Sequence, residues 1–315
     1  MRTLIVGAGG VGGNLAARLA AAYPREQKIW LLARGDSAMR IRQRGLELRH
    51  HGGIVIGYPT VIEQLSDLSG IELVVLAVKE PALDDILREL ADTLVPGTCV
   101  LPLLNGLPRA AALSQRLPTA RLFESCMYVT TRRMEPGIIE QQSPFCRVIL
   151  QGVFQSADSA ESRVSGLLGG SGVTCTISRS IAADIWTKYL LICPMAGVTS
   201  LYQRTFGQVL DDPITREFLI VAMTEIATLA RACGIPLGPD VVARALATAL
   251  SFPPAARTSM QRDFAEGRLT ELEVFSGAAL RLAQQHGLEM PAHTAIYETL
   301  QARTATQRSK CWADC

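Results

Sequence analysis

A glycine run opens the chain: Gly7-Ala8-Gly9-Gly10-Val11-Gly12 fits the pattern G-x-G-x-x-G. Glycines at this spacing permit a tight turn and let backbone N–H groups approach a pyrophosphate, whose charge then sits at a helix N-terminus. Glycine-rich turns are common, so the pattern counts only in context. Here an apolar stretch, Thr3 to Val6, precedes it and an alanine-rich stretch, Asn14 to Ala22, follows it, the strand-to-helix setting of a dinucleotide site. At the end of the next apolar run a carboxylate would take a ribose 2′-hydroxyl, but Ala33-Arg34-Gly35 stands there. A guanidinium suits a 2′-phosphate and a carboxylate repels one, so Arg34 predicts NADPH rather than NADH. Asp36, two residues further, argues the other way.

Two more polar residues end apolar runs: Lys79 after LVVLAV, and Asn105 in VLPLLNG. In open α/β sheets ligands bind outside the carboxyl ends of the strands, so both are expected near a bound nicotinamide nucleotide. Alone, each would read as a surface lysine and a turn asparagine. Further on, Lys188 lies inside the apolar segment IAADIWTKYLLICPM. Such a lysine either snorkels from a buried helix or works in a cleft, where desolvation would make it a usable proton donor. The segment itself leaves both open. Thr270-Glu271-Leu272-Glu273 resembles a capping box with Thr270 as N-cap and Glu273 reaching back. Glu271 has no such structural role, and a helix start favours its ionised form. Ser259, twelve residues earlier, offers a hydroxyl that means little alone.

The elements that must hold these residues follow from the apolar pattern. Thr3 to Val6, Lys28 to Ala33, Leu73 to Val78 and Val100 to Leu104 read as strands, the third a continuous run of the kind buried in a parallel sheet. Helical stretches separate them, which predicts a doubly wound sheet. Cys126–Thr131 and Arg147–Leu150 read as later antiparallel strands around a Pro136-Gly137 turn, and Gly169 to Gly172 as a flexible connector. From about Ser178 helical periodicity takes over: Leu219, Met223, Ile226, Ala230 and Cys233 form a stripe stopped at Gly234, and Leu272, Phe275, Ala279 and Leu282 another closed by Gly287. The expected fold is a Rossmann-type dinucleotide-binding domain over residues 1–177, followed by an all-helical domain over residues 178–315.

Bulk composition narrows the class. With 315 residues, 48% hydrophobic and 19% charged, the chain reads as globular and long enough for two domains. A net charge of +2 predicts no nucleic-acid or membrane partner, and the basic run from Arg34 to Arg49 reads as a solvated helix face. No stretch approaches the roughly 20 uninterrupted apolar residues of a membrane helix, and the N-terminus carries no signal-peptide pattern, so a cytoplasmic location is expected. The eight cysteines are scattered, with Cys99, Cys193 and Cys233 in apolar runs, and read as small hydrophobes. Cys311 and Cys315 are too few for a metal site, and no metal is expected.

Taken in order, GAGGVGG, LAR, LAVK, LLNG, IWTKYLL, SMQRDFAEGRLTE and HGLEMP resemble the ketopantoate reductase family nearly end to end. The resemblance implies NADPH-dependent reduction of 2-dehydropantoate to pantoate, in coenzyme A biosynthesis, by an enzyme compatible with a homodimer. It implies cofactor contacts at Arg34, Lys79, Asn105, Glu271 and, through its backbone, Thr131. Asn105 would also meet the substrate, whose carboxylate Ser259 would bind. Lys188 would donate a proton to the carbonyl oxygen, with Glu271 supporting it. The family's asparagines four, eight and eighteen residues after the lysine are here Ile192, Ala196 and Phe206. That departure points to a more hydrophobic 2-oxo acid or ketone as an alternative substrate. A non-catalytic NADPH-binding regulator is a third reading, against which the retained Lys188 and Glu271 stand.

Overall fold

The computed structural model describes residues 1–24, 28–152, 156 and 158–313, apart from the side chains of residues 67, 81 and 305–313. Cys315 and the side chain of Cys311 therefore lie outside the described residues. The chain divides into two compact units: Met1–Leu104 with Pro108–Ile181, and Asn105–Leu107 with Ala182–Cys315.

In the first unit β1 (Thr3–Val6) leads into α1 (Gly10–Ala22), and β2 (Ile29–Leu32) into α2 (Gly35–Arg44). Next come β3 (Leu46–His50), β4 (Gly53–Gly57), β5 (Thr60–Ile62), β6 (Leu73–Leu76) and α3 (Leu83–Thr93). The sheet is completed through β7 (Cys99–Pro102), α4 (Ala110–Arg116) and β8 (Arg121–Leu122). Six strands form one all-parallel sheet in the order β5-β2-β1-β6-β7-β8. The chain winds outwards in opposite directions from β1 and β6, so the topological switch point, where this fold binds ligands, falls between their carboxyl ends at Val6 and Leu76. Both strands are buried at every residue, which is why TLIV and LVVL are continuously apolar. This is a Rossmann-type unit.

The rest of that unit is β9 (Ser125–Tyr128), β10 (Thr131–Glu135), β11 (Ile138–Gln141), β12 (Arg147–Gln151), α5 (Ala160–Gly170) and β13 (Thr174–Ser178). They form a three-stranded sheet, β13-β12-β9, and with β3 and β4 a four-stranded one, β10-β11-β3-β4. β9 and β12 are antiparallel, as expected, but Pro136-Gly137 closes the separate hairpin β10–β11. Gly169 and Gly170 are not a flexible connector: they form the last turn of α5, whose end is held by bonds from Ser171, Gly172 and Val173 N–H. The basic run is only partly a helix face, because Arg49 lies on β3.

The second unit is helical: α6 (Ile181–Tyr202), α7 (Phe206–Asp211), α8 (Pro213–Ala232), α9 (Val241–Leu250), α10 (Ser259–Ala265), α11 (Ala278–Gln285) and α12 (Pro291–Ala313). A π-turn at Glu273–Gly277 leads into α11. The stripe Leu219, Met223, Ile226 and Ala230 is buried on α8, and the helix stops at Gly234 with φ of 74°. α6 is long and apolar enough to cross a membrane by length and composition, yet 67% of its most apolar window is buried within the protein. Trp186, Tyr189, Leu190, Cys193 and Met195 anchor it in the helical core.

The expected capping box is absent. Thr270 precedes the π-turn, which starts from Leu272 with no side-chain cap. Glu273 instead accepts hydrogen bonds from Tyr297 Oη and, at 2.8 Å, Arg281 Nη1. A capping box needs the regular register of an α-helical first turn, whereas in this wider turn Gly277 N–H reaches back five residues to Leu272 O.

Candidate functional site

The glycine loop occupies the end of β1 and the start of α1. Gly7 has φ of 110°, and a Cβ there would meet the Ala77 carbonyl oxygen at 2.6 Å. A Cβ on Gly12 would lie 2.0 Å from the Gly7 oxygen, so the crossing of loop and helix requires a bare backbone. Gly9 differs: nothing lies within 4 Å of the position its Cβ would take. It is the N-cap of α1, and neither a capping side chain nor an acidic residue in the first turn serves that helix end. Open space beside unsatisfied N–H groups and a helix dipole fits a phosphate. Ala8 and Val11 complete the loop, and both pack against the core below it.

Three further residues expected at the cofactor, Arg34, Lys79 and Thr131, lie in the same unit. Arg34 is exposed at the N-cap of α2, where its guanidinium donates to the Glu63 carbonyl and to Glu89, each at 3.3 Å. The Arg34–Glu89 pair is open to solvent, with side chains 60% and 40% exposed, and such pairs are weak enough to be exchanged for a ligand phosphate. Lys79 is exposed three residues after β6, at the start of a short 3₁₀ turn, Glu80–Ala82. Thr131 begins β10, and its Oγ1 would lie 2.4 Å from a Cβ on Gly10, which places it directly against the first turn of α1.

In the helical unit three residues chosen from the sequence come together. Lys188 Nζ donates to Asn105 Oδ1 at 3.1 Å, and Asn105 Nδ2 donates to Glu271 Oε2 at 3.3 Å. Asn105 lies three residues beyond β7 and is grouped with the helices, so the strand end delivers it to this cluster. Lys188 is half-buried on α6, and Glu271 is buried at 8% exposure. The order is electrostatically directed: an amide has one accepting and one donating end, and here the ammonium meets the former and the carboxylate the latter. Hydrogen-bonded groups in such a chain polarise one another. Ser259 stands outside this hydrogen-bonded chain, exposed in the first turn of α10 beside the N-cap Thr258.

Of the residues that replace the family's asparagines, Ile192 and Ala196 follow Lys188 at one-turn intervals on α6 but differ in burial, and Phe206 lies on α7. Ile192, one turn after Lys188, is partly exposed. Ala196 and Phe206 are packed in the helical core, Phe206 against Phe252 with ring centroids 5.2 Å apart.

Two features escaped the sequence reading. Tyr189, next to Lys188, is 1% exposed and donates its hydroxyl to the Phe275 carbonyl at 2.6 Å. Deeper on α6, Cys193 Sγ lies 3.4 Å from His293 Nε2, whose Nδ1 lies 3.1 Å from Glu225 Oε2. That order of residues suggests nucleophilic catalysis, but Cys193 is fully buried and burial pushes its thiol up to about 12. The thiol is inert at neutral pH. A tyrosine in an apolar helix needs a partner for its hydroxyl, a signal that was available; the partner was not. Among the described residues no group of three or more His, Cys, Asp or Glu is arranged to hold a metal ion.

A family model described as ketopantoate reductase PanE/ApbA matches residues 3–150, and its C-terminal counterpart matches residues 180–304. A 2-dehydropantoate 2-reductase of Halobacterium salinarum is 27% identical over 294 residues, covering 92% of this chain and 95% of its own. Among solved structures, a PanE/ApbA family ketopantoate reductase from Ralstonia eutropha JMP134 superposes with a TM-score of 0.88 at 23% identity, covering 98% of this chain and all of that one. D-mandelate dehydrogenase, in a ternary structure with NADH and anilino(oxo)acetate, gives 0.87 at 21% identity, covering 98% of this chain and 99% of that one. The two structural likenesses establish the fold.

Proposed function

Because the chain belongs to the PanE/ApbA family of ketopantoate reductases, we propose that it reduces a 2-oxo acid of the ketopantoate type, with NADPH as reductant and Lys188 as proton donor. The observation that carries this reading is the hydrogen-bonded order Lys188–Asn105–Glu271. Bound NADPH would supply the hydride. The glycine loop Gly7–Gly12 would hold its pyrophosphate, Arg34 its 2′-phosphate, and Lys79 and Thr131 the nucleotide nearby.

Hydride addition to the C2 carbonyl builds negative charge on its oxygen. Lys188, as an ammonium, stabilises that charge and passes a proton to it, a contribution of about a hundredfold or more for general acid catalysis. An ammonium carries three donors, so one N–H directed at Asn105 is compatible with another directed at the substrate. Glu271 keeps Lys188 charged through Asn105: by accepting from Nδ2 it strengthens Oδ1 as an acceptor for the ammonium. Ser259 would receive the substrate carboxylate.

Ile192 favours a second reading of the substrate. It is the partly exposed side chain one helical turn from Lys188, and it offers an apolar contact where a hydroxylated acid would want a hydrogen bond. A more hydrophobic 2-oxo acid therefore fits this chain as well as ketopantoate does, and the fold shared with D-mandelate dehydrogenase extends to enzymes named for aromatic acids. Steady-state NADPH oxidation across a panel of ketopantoate, branched-chain 2-oxo acids and phenylglyoxylate tests both readings. Turnover of at least one member is expected, fastest with an apolar side chain if Ile192 sets the preference. Turnover of none, with NADPH bound, would support the non-catalytic reading.

A further inference from the structure

The helical unit ties Lys188 to Glu271 by a second route. One route runs on the side-chain side, through Asn105. The other starts at the next residue of α6: Tyr189 Oη donates to the Phe275 carbonyl at 2.6 Å, and Phe275 N–H in turn donates to the Glu271 carbonyl at 3.0 Å. Phe275 sits inside the π-turn Glu273–Gly277, where Gly277 N–H reaches back five residues to Leu272 O at 3.1 Å. A π-turn interrupts the regular ladder of the helix that follows it, and the Phe275 carbonyl, which already accepts from Ala278 N–H within the turn, also takes an outside donor. Tyr189 supplies it, from a ring that is 1% exposed and held edge-on by Trp186 at a centroid distance of 6.0 Å. The ring cannot swing away without leaving the core.

We propose that Tyr189 is a positioning residue of the site: by holding the Phe275 carbonyl it fixes the π-turn, and through it sets the Glu271 carboxylate in register with Asn105 and Lys188. The inference rests on the functional reading above for the role of Lys188. Loss of the hydroxyl leaves the turn free to relax towards regular helix, which rotates the segment preceding it. Glu271 then meets Asn105 less well, and the ammonium of Lys188 loses support.

The variant Tyr189→Phe removes the hydroxyl and keeps the ring contacts with Trp186 and Phe275. Two measurements on the full-length protein read it: hydrogen–deuterium exchange of the peptide covering residues 271–278, and the pH profile of kcat and KM for the best 2-oxo acid of the panel. We expect faster exchange at that peptide, kcat lower by about tenfold with KM little changed, and a basic limb displaced to lower pH. A merely structural role would lower thermal stability without moving the basic limb. Unchanged exchange, or faster exchange with an unmoved kcat and pH profile, overturns the proposal. Lys188→Ala, run beside it, separates the two claims. If Lys188→Ala turns over like the wild type the functional reading fails, whereas an inactive Lys188→Ala with a fully active Tyr189→Phe overturns Tyr189 alone.

Discussion

The proposed preference for NADPH rests on one exposed side chain, Arg34. Its present partners, a backbone carbonyl and the solvent-exposed Glu89, hold it weakly, so a 2′-phosphate would win the competition through charge-assisted hydrogen bonds of roughly 1.5–3 kcal/mol. That corresponds to about a ten- to hundredfold preference. Arg34→Asp is therefore expected to raise the KM for NADPH by at least about tenfold and to lower that for NADH; an unchanged ratio of the two would remove Arg34 from the account. Lys79, Asn105 and Lys188 were visible as polar residues ending or interrupting apolar runs, and Glu271 as the acidic residue of TELE left without a capping role. Tyr189 was not, because its importance lies in an acceptor eighty-six residues away.

The loop between β1 and α1 separates fold from function at the scale of an element. Gly12 is required by packing, since a methyl group would strike the Gly7 carbonyl at 2.0 Å, whereas Gly9 faces open space. Gly12→Ala is expected to lower Tm by several degrees, the local backbone having to shift. Gly9→Ala should leave Tm within about a degree yet weaken NADPH binding at least tenfold, because its methyl enters the space kept for phosphate. Isothermal titration and thermal melts of the two variants check this; tight NADPH binding by Gly9→Ala would contradict the assignment of the cradle. The parallel strands were legible as continuous apolar runs such as LVVL. The small sheet of β3, β4, β10 and β11 was not, because pairings such as Leu48 with Ile139 join segments far apart in sequence. The π-turn was also hidden, since the stripe Leu272, Phe275, Ala279 keeps helical spacing through it.

Across the whole molecule, stability at alkaline pH reports the burial of cysteines. Burial pushes the Cys193 thiol up to about 12 and that of Cys146 to about 11, against an ordinary value of 9.0. In the unfolded chain both ionise near 9, while the folded protein keeps them protonated, so the unfolded state binds fewer protons and stability falls as pH rises from about 9 towards 12. Denaturant titrations at pH 8 and pH 10.5 should show that loss, reduced in Cys193→Ala relative to its own value at pH 8. An equal fall in that variant would assign the loss elsewhere. The succession of a parallel-sheet part and a helical part was legible from the change in periodicity along the chain, but the transfer of Asn105–Leu107 to the helical unit was not. A strand end can be read from its apolar run; which unit receives the three residues after it depends on packing that no local pattern encodes. That transfer is what allows Asn105 to join Lys188 and Glu271, and the central claim rests on this cluster. Its most direct test is Lys188→Ala, measured for turnover of the best 2-oxo acid and for NADPH affinity in the same preparation. We predict kcat lower by about a hundredfold or more with NADPH affinity within about twofold of the wild type; wild-type kcat in the variant would contradict the account.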